Sequence, residues 1–319
     1  MKTRISFALL LCLVLMFATV SFAEDLPFER ELSQSQINAI TESLMDEHKL
    51  FPVQTEFRIK VDGKDLNANK NLKPEWKNIL LMGTDTGNEN LNYGRTDAML
   101  VLSINKKTGE MKLSSLVRDM YVPIAGTNMH NRINAANAFG GPLLAVKTVN
   151  TVLDLNIEKY ASINFSGFEK VVDTLGGVEI ELTPSEAEII GVSKQEGAQV
   201  LNGKQALTYV RIRKTDNNFG RNERQRTFLV SLLNKTKKSS VDVAIDSLSI
   251  ALGQMATNLS VSDVLTLVPK VINNTGEMKL LSLPKKGDYR YARTSQGMSV
   301  VAFDAEKTKE AFHSFVYGE

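Results

Sequence analysis

Lys77-Asn78-Ile79-Leu80-Leu81-Met82-Gly83-Thr84-Asp85 carries a short, uninterrupted apolar run that stops at a glycine and an aspartate. A run of that length, bounded by a turn residue, reads as a strand buried on both faces. Two similar stretches follow it. Residues 98–105 are apolar and come directly after Gly94-Arg95-Thr96-Asp97, so Arg95 and Asp97 are expected just ahead of that strand. The turn Lys106-Lys107-Thr108-Gly109 then returns the chain through a third strand, 111–117, which ends on Arg118-Asp119. Three strand ends thus carry Asp85, Arg95, Asp97, Arg118 and Asp119, and loops at strand ends on a rigid sheet are where chemistry usually sits.

Working outward, the apolar period changes. Residues 139–155 and 165–176 have helical spacing, and Val178-Glu179-Ile180-Glu181-Leu182 alternates like a strand. Asn202 fits the cap of a helix running through Ala206 and Leu207 to Tyr209. A long helix follows from about Arg221, with Phe228, Leu229, Leu232 and Leu233 inward and Arg221 and Arg224 one turn apart. Gly140-Gly141 and Gly176-Gly177 read as turns. The tail predicts helices over 241–256 and 261–272, strands over 279–283 and 299–303, and a last helix. Mixed strands and helices with one hairpin predict an α/β fold, a three-layer α/β/α sandwich on a mixed central sheet.

Upstream, residues 24–74 form a polar mixed segment. Residues 34–50 have helix spacing, 57–61 alternate like a strand before the Asp62-Gly63 turn, and 67–73 read as a linker. The body is expected to span 75–319. Residues 1–23 have the form of an export signal: Lys2 and Arg4, an apolar run, then Ser21-Phe22-Ala23. Cleavage after Ala23 and a retained anchor over residues 5–23 both fit, and either one exports the body to the extracytoplasmic side, at the cell membrane or in the wall. Cys12, the only cysteine, lies in that run, so neither disulfides nor thiol chemistry serve the body.

Without Lys2 and Arg4 the 38 basic residues fall level with the 36 acidic ones. A neutral body argues against nucleic-acid binding, which rests on a basic excess. The arginines are instead concentrated: Arg95, Arg118, then Tyr209-Val210-Arg211-Ile212-Arg213 and Gly220-Arg221-Asn222-Glu223-Arg224-Gln225-Arg226. Arginine forks match phosphate oxygens bidentately. Magnesium takes oxygen ligands and commonly one or two carboxylates, leaving room for substrate phosphates. Asp85 and Asp97 with these arginines therefore read as a magnesium–diphosphate site. Against that reading, glycine-flanked aspartates often only cap turns, and arginines are often solvated helix-end cations. Arginines near a helix start are disfavoured by the dipole, however, and a bound anion relieves the repulsion. His48, His130 and His313 lack metal-ligand spacing, and neither a G-x-S-x-G elbow nor a phosphate-binding G-x-x-x-x-G-K-[ST] loop occurs. Asn131 and Asn134 follow a loop where local backbone bonding is the heavier use.

These blocks in this order resemble the LytR–CpsA–Psr family of bacterial envelope proteins. The resemblance rests on residues 78–85, on Arg95-Thr96-Asp97-Ala98-Met99-Leu100, and on Ser115-Leu116-Val117-Arg118-Asp119. It continues through Ile163-Asn164-Phe165 with Gly167-Phe168, residues 172–178, and Leu201-Asn202-Gly203-Lys204-Gln205-Ala206-Leu207 leading into the arginine runs. It is strongest over 77–237. The resemblance implies an exported phosphotransferase that moves a phosphate-linked glycopolymer from a polyprenyl-pyrophosphate carrier to peptidoglycan at the membrane surface. It implies Mg2+, with Mn2+ as a substitute, on Asp85 and Asp97. Arg95, Arg118, Arg211, Arg213, Arg221 and Arg224 are implied to hold the pyrophosphate, and an apolar tunnel in the sandwich the polyprenyl tail. Arg95, Arg118 and Asp119 are the candidate catalytic groups; for Asp119, pairing with an arginine competes with taking the acceptor's proton. Many members have an aspartate where this chain has Asn218, while Asp216 is kept. A non-catalytic lipid-diphosphate binder, a pyrophosphatase and a transcription attenuator are the competing readings.

Overall fold

The structure is a computed structural model that describes residues 59–84, 93–192, 197–212, 218–237, 255–260, 263 and 278–318. Three strands come first, β1 (Trp76–Thr84), β2 (Thr96–Asn105) and β3 (Met111–Leu116). Short β4 (Tyr121–Pro123) and β5 (His130–Arg132) form a hairpin that leads into α1 (Ala135–Leu153). Then follow β6 (Lys159–Asn164), α2 (Phe165–Thr174), β7 (Val178–Leu182), α3 (Pro184–Ile190) and β8 (Gly197–Leu201). The chain continues with α4 (Gly203–Arg211), α5 (Asn218–Lys237), β9 (Met255–Thr257), β10 (Lys279–Leu283), β11 (Tyr289–Arg293), β12 (Ser299–Phe303) and α6 (Ala305–Tyr317).

The central sheet has the order β10-β3-β2-β1-β6-β9. It is mixed: β10 with β3 and β1 with β6 are parallel, and the other neighbours are antiparallel. Both faces are covered, as the apolar run in β1 demands. Ile79 and Leu81 join one core with Val171, Val172, Tyr209 and Phe228 from α2, α4 and α5. Leu80 and Met82 join a second core with Val146, Val149, Phe312 and Val316 from α1 and α6. The period of two in a strand alone sends alternate side chains to opposite layers.

Local chemistry accounts for the element ends. Asn202 and Gln205 form a reciprocal capping box at the start of α4, as Asn202 predicted. At the Gly140-Gly141 break α1 loses helical geometry, with Gly141 at φ 71°. The Phe139 carbonyl accepts instead from the Ile59 N–H at 3.1 Å, and a Cβ on Gly140 would stand 2.7 Å from the Ile59 carbonyl oxygen. Of the strand expected at 57–61, residues 59–61 join no ladder, because their partner is a kinked helix that no local pattern reveals, and residues 57 and 58 lie outside the described residues. The 67–73 stretch is tied to the body, Asn67 to Thr151 at 2.9 Å and Asn69 to Asp154 at 2.8 Å, with Leu66 buried in the second core. Residues 255–256, expected at the end of a helix, lie in β9, a three-residue edge strand too short to carry a period of its own. The rest of the 241–256 helix, the 261–272 helix apart from residue 263, the 34–50 helix and residues 1–23 lie outside the described residues. Among the described residues no helix is long and apolar enough to cross a membrane.

Candidate active site

The geometry begins with a register shift. On β1 and β2, Gly83 faces Ala98 while Thr84 faces Thr96, which leaves Asp97 as the extra residue. Such a bulge re-aims the side chain it carries. Asp97 is therefore inside β2 and not ahead of it, and it reaches the first-core side of the sheet next to Ala98.

The Arg118-Asp119 turn sits beside it. Backbone bonds pin this turn from three directions: Val117 donates to Leu283 at 3.0 Å, Asn134 to the Arg118 carbonyl at 3.3 Å, and Val301 to the Asp119 carbonyl at 2.8 Å. Arg118 Nη1 donates to Asp97 Oδ1. Asp119 Oδ1 lies 3.6 Å from Arg118 Nε and 3.5 Å from Arg132 Nε. Charges thus alternate along Asp97, Arg118, Asp119 and Arg132, all mostly buried, and Arg132 is anchored in turn by donating to the Ser299 carbonyl at 2.8 Å.

Next to Asp97 opens a cavity of about 110 Å³ between the sheet and α2, α4 and α5. Its walls are apolar, among them Leu81, Leu100, Ala161, Phe168, Leu207 and Phe228. Asp97, Arg211, Arg221, Asn164 and Gln225 supply its polar groups. One water needs roughly 10–15 Å³ on this scale, so the space takes a length of hydrocarbon or several waters. Arg211, in the last turn of α4, lies over the Phe165 ring with its guanidinium carbon 4.3 Å from the centroid. Arg221 is 1% exposed. Gln225, one turn on, donates to the Asp97 carbonyl at 3.3 Å and couples α5 to the bulge.

The remaining expected residues are placed differently. Arg95 is exposed just ahead of β2. Arg224 is buried, with Nε donating to Glu186 at 2.7 Å and Nη1 to the Ile212 carbonyl at 3.2 Å. Burial pushes the Glu186 carboxyl up, but hydrogen bonds from Thr183 and Arg224 outweigh it and hold the group below the ordinary glutamate value. Burial, with Glu186 nearby, pushes the Tyr209 hydroxyl up to about 12. Asp85 and Arg213 lie outside the described residues, as does the side chain of Asn218. Sequence reasoning missed Arg132, Phe165, Gln225 and Glu186 as participants. Gln225 alone had a signal, its four-residue spacing from Arg221; the others meet their partners across more than ten residues of chain.

Among the described residues no group of three or more acidic, histidine or cysteine side chains is placed to hold a metal. A hard cation that arrives with a diphosphate needs only one or two protein carboxylates, and Asp97 at the cavity wall is of that kind.

The LytR_cpsA_psr family profile matches residues 34–314. A polyisoprenyl-teichoic acid–peptidoglycan teichoic acid transferase, TagU, of Bacillus licheniformis is 36% identical over 189 residues, 58% of this chain and 61% of that protein. The regulatory protein MsrR of Staphylococcus aureus is 32% identical over 243 residues, 75% of this chain and 73% of that one. Among solved structures, TagT of Bacillus subtilis superposes with a TM-score of 0.62 at 26% identity, covering 79% of this chain and 96% of TagT. TagT bound to LI-WTA gives a TM-score of 0.62 at 27% identity, covering 83% and 96%. With the bulged aspartate, the paired Arg118-Asp119 turn and the apolar cavity in one α/β fold, the chain belongs to the LytR_cpsA_psr family.

Proposed function

We propose that this protein transfers a phosphate-linked glycopolymer from a polyprenyl-pyrophosphate carrier to peptidoglycan on the outer side of the cell membrane. The observation that carries the reading is an amphipathic cavity, mostly apolar and with Asp97, Arg211 and Arg221 among its polar lining groups. A lipid diphosphate has that polarity. The likeness to teichoic acid transferases and to a TagT bound to LI-WTA supports the same ligand class.

In this reading the polyprenyl tail lies in the cavity as in a tunnel. Arg211, Arg213, Arg221, Arg95 and Arg118 hold the diphosphate oxygens, and Arg224 shapes the site from behind through Glu186. Asp97, with Asp85, would hold Mg2+, which supplies charge neutralisation on the diphosphate bridge. An acceptor hydroxyl oxygen forms a bond to the phosphorus that bears the glycan, and the phosphorus–oxygen bond to the polyprenyl phosphate breaks. The hydroxyl's proton is balanced by protonation of the departing polyprenyl phosphate. Phosphoryl transfer of this kind needs positioning and charge stabilisation and no protein nucleophile, which agrees with a body that lacks cysteine. Asp119, set between two arginines, holds Arg118 in place.

The test is purified protein with labelled polyprenyl-pyrophosphate-linked glycan, with and without peptidoglycan. Label on peptidoglycan, with polyprenyl phosphate released only when the acceptor is present, is expected. Release without acceptor would make it a pyrophosphatase, and tight binding without release a lipid-diphosphate binder.

A further inference from the structure

We infer that the β11–β12 hairpin, through Tyr291 and the neighbouring Arg132 fork, is the subsite for the acceptor sugar; this rests on the transferase reading above. The hairpin is docked on the candidate site itself. Met120 and Val301 form a parallel bridge, the Val301 N–H donates to the Asp119 carbonyl at 2.8 Å, and Arg132 Nε donates to the Ser299 carbonyl at 2.8 Å. Across the hairpin, Tyr291 is registered with Val301 and Arg293 with Ser299. Tyr291 is thus one strand removed from the Asp119-Met120 segment, and Arg132 and Arg293 flank Ser299 from its two sides.

Tyr291 is 50% exposed, and the Tyr289 ring supports it edge-on with centroids 5.9 Å apart. Asp119 is close enough to help raise the Tyr291 hydroxyl, behind burial and Tyr289. Arg132 uses only Nε inside the protein, and its two terminal nitrogens make no hydrogen bond among the described residues. A half-exposed ring on a hairpin that also holds Arg132, whose terminal nitrogens face no partner among the described residues, matches a pyranose, which has an apolar C–H face and a rim of hydroxyls. Aromatic side chains with one apolar and one polar end suit such mixed surfaces.

Placement separates this surface from the lipid cavity. The cavity lies against the first core, whereas Met120, Val301 and Tyr289 pack in the second. Asp97 lines the cavity, its partner Arg118 precedes Asp119 in the chain, and the Asp119 carbonyl accepts from the hairpin at Val301. Phosphoryl transfer places attacking and leaving oxygens roughly in line. With the leaving polyprenyl phosphate on the cavity side, the attacking hydroxyl comes from the opposite direction, and the inference assigns that approach to the Tyr291 surface.

The experiment uses the whole protein and undecorated peptidoglycan glycan oligosaccharides as acceptor. Tyr291→Ala is expected to raise the acceptor KM about 10-fold and to leave the donor KM unchanged, while Tyr291→Phe keeps most of the acceptor affinity. A second readout needs no turnover: in Tyr291→Trp the same oligosaccharide, without donor, is expected to change the emission of the new indole. An unchanged acceptor KM in Tyr291→Ala, or an unresponsive indole, would overturn the subsite even if wild-type transfer is normal. Absent wild-type transfer with a responsive indole would sink the transferase reading and leave the sugar subsite standing.

Discussion

Arg118 donates to Asp97 from a turn 21 residues downstream, and that contact closes a line of alternating charges running to Arg132. Each of these groups is held by a neighbour of opposite sign, so their geometry is set before any ligand arrives. Preorganised charge of this kind carries most electrostatic catalysis.

Asp97→Asn and Arg118→Ala are each expected to cut glycan attachment by about 100-fold or more, on the scale of losing one preorganised charged group. Asp97→Asn is expected to leave a folded protein, since Asp97 is a bulge residue outside the strand ladder. Arg118→Ala also removes a cation from Asp97 and Asp119 and is expected to lower the melting temperature without unfolding the chain. Attachment assays in a strain without paralogues, read beside thermal melts, check this. Full complementation by both variants would remove these residues from the mechanism.

Arg224 and Glu186 predict a stability effect instead. Arg224→Ala leaves the half-buried Glu186 carboxylate with only its Thr183 bonds and is expected to cost about 1.5–3 kcal/mol in chemical denaturation. Glu186→Gln is expected to cost about 1.5–3 kcal/mol. The sign with pH follows from the lowered Glu186 value. Its stabilisation is complete above the unfolded glutamate pKa of about 4.3 and is lost as pH falls through the lower folded value. Wild type should therefore destabilise more steeply in acid than Glu186→Gln, measured by melting between neutral pH and pH 3.

The cavity predicts a lipid-specific defect. Leu207→Trp fills apolar space between α4 and the sheet and displaces several methylene groups at about 0.8 kcal/mol each. Binding of a polyprenyl diphosphate should weaken by about 30- to 100-fold, while a short-chain diphosphate should bind as to wild type. Equal losses for both would place the tail elsewhere.

Gly203 tests the packing that aims Arg211. A Cβ there would meet the Glu169 carbonyl oxygen at 2.3 Å and Cα at 2.7 Å, both backbone atoms that cannot rotate away. Gly203→Ala is expected to push α4 off α2, at a cost of about 1–3 kcal/mol, and to lower diphosphate affinity through the displaced Arg211. A melting temperature equal to wild type would show that the close approach is dispensable.

Much of the architecture could be read from local pattern. The three leading strands, the 178–182 strand, the Asn202 cap and the last helix follow from periodicity and capping, which depend on neighbours in sequence. The misread segments, 59–61 and 255–256, take their structure from distant partners, a kinked helix carbonyl and the edge of β6. The site divides the same way. Asp97, Arg118 and Arg221 stood out by residue type at strand and helix ends, yet nothing near Arg224 in sequence announced Glu186, 38 residues away.

The order of residues along the chain determined which faces of each strand and helix are apolar and where the charged groups cluster, because side-chain period is a property of the local backbone. Only the tertiary structure decided which arginines border the cavity, that a bulge turns Asp97 toward it, and that the C-terminal hairpin leans on Asp119. Those outcomes depend on which surfaces meet when both cores close, and that is settled by packing between segments far apart in the chain.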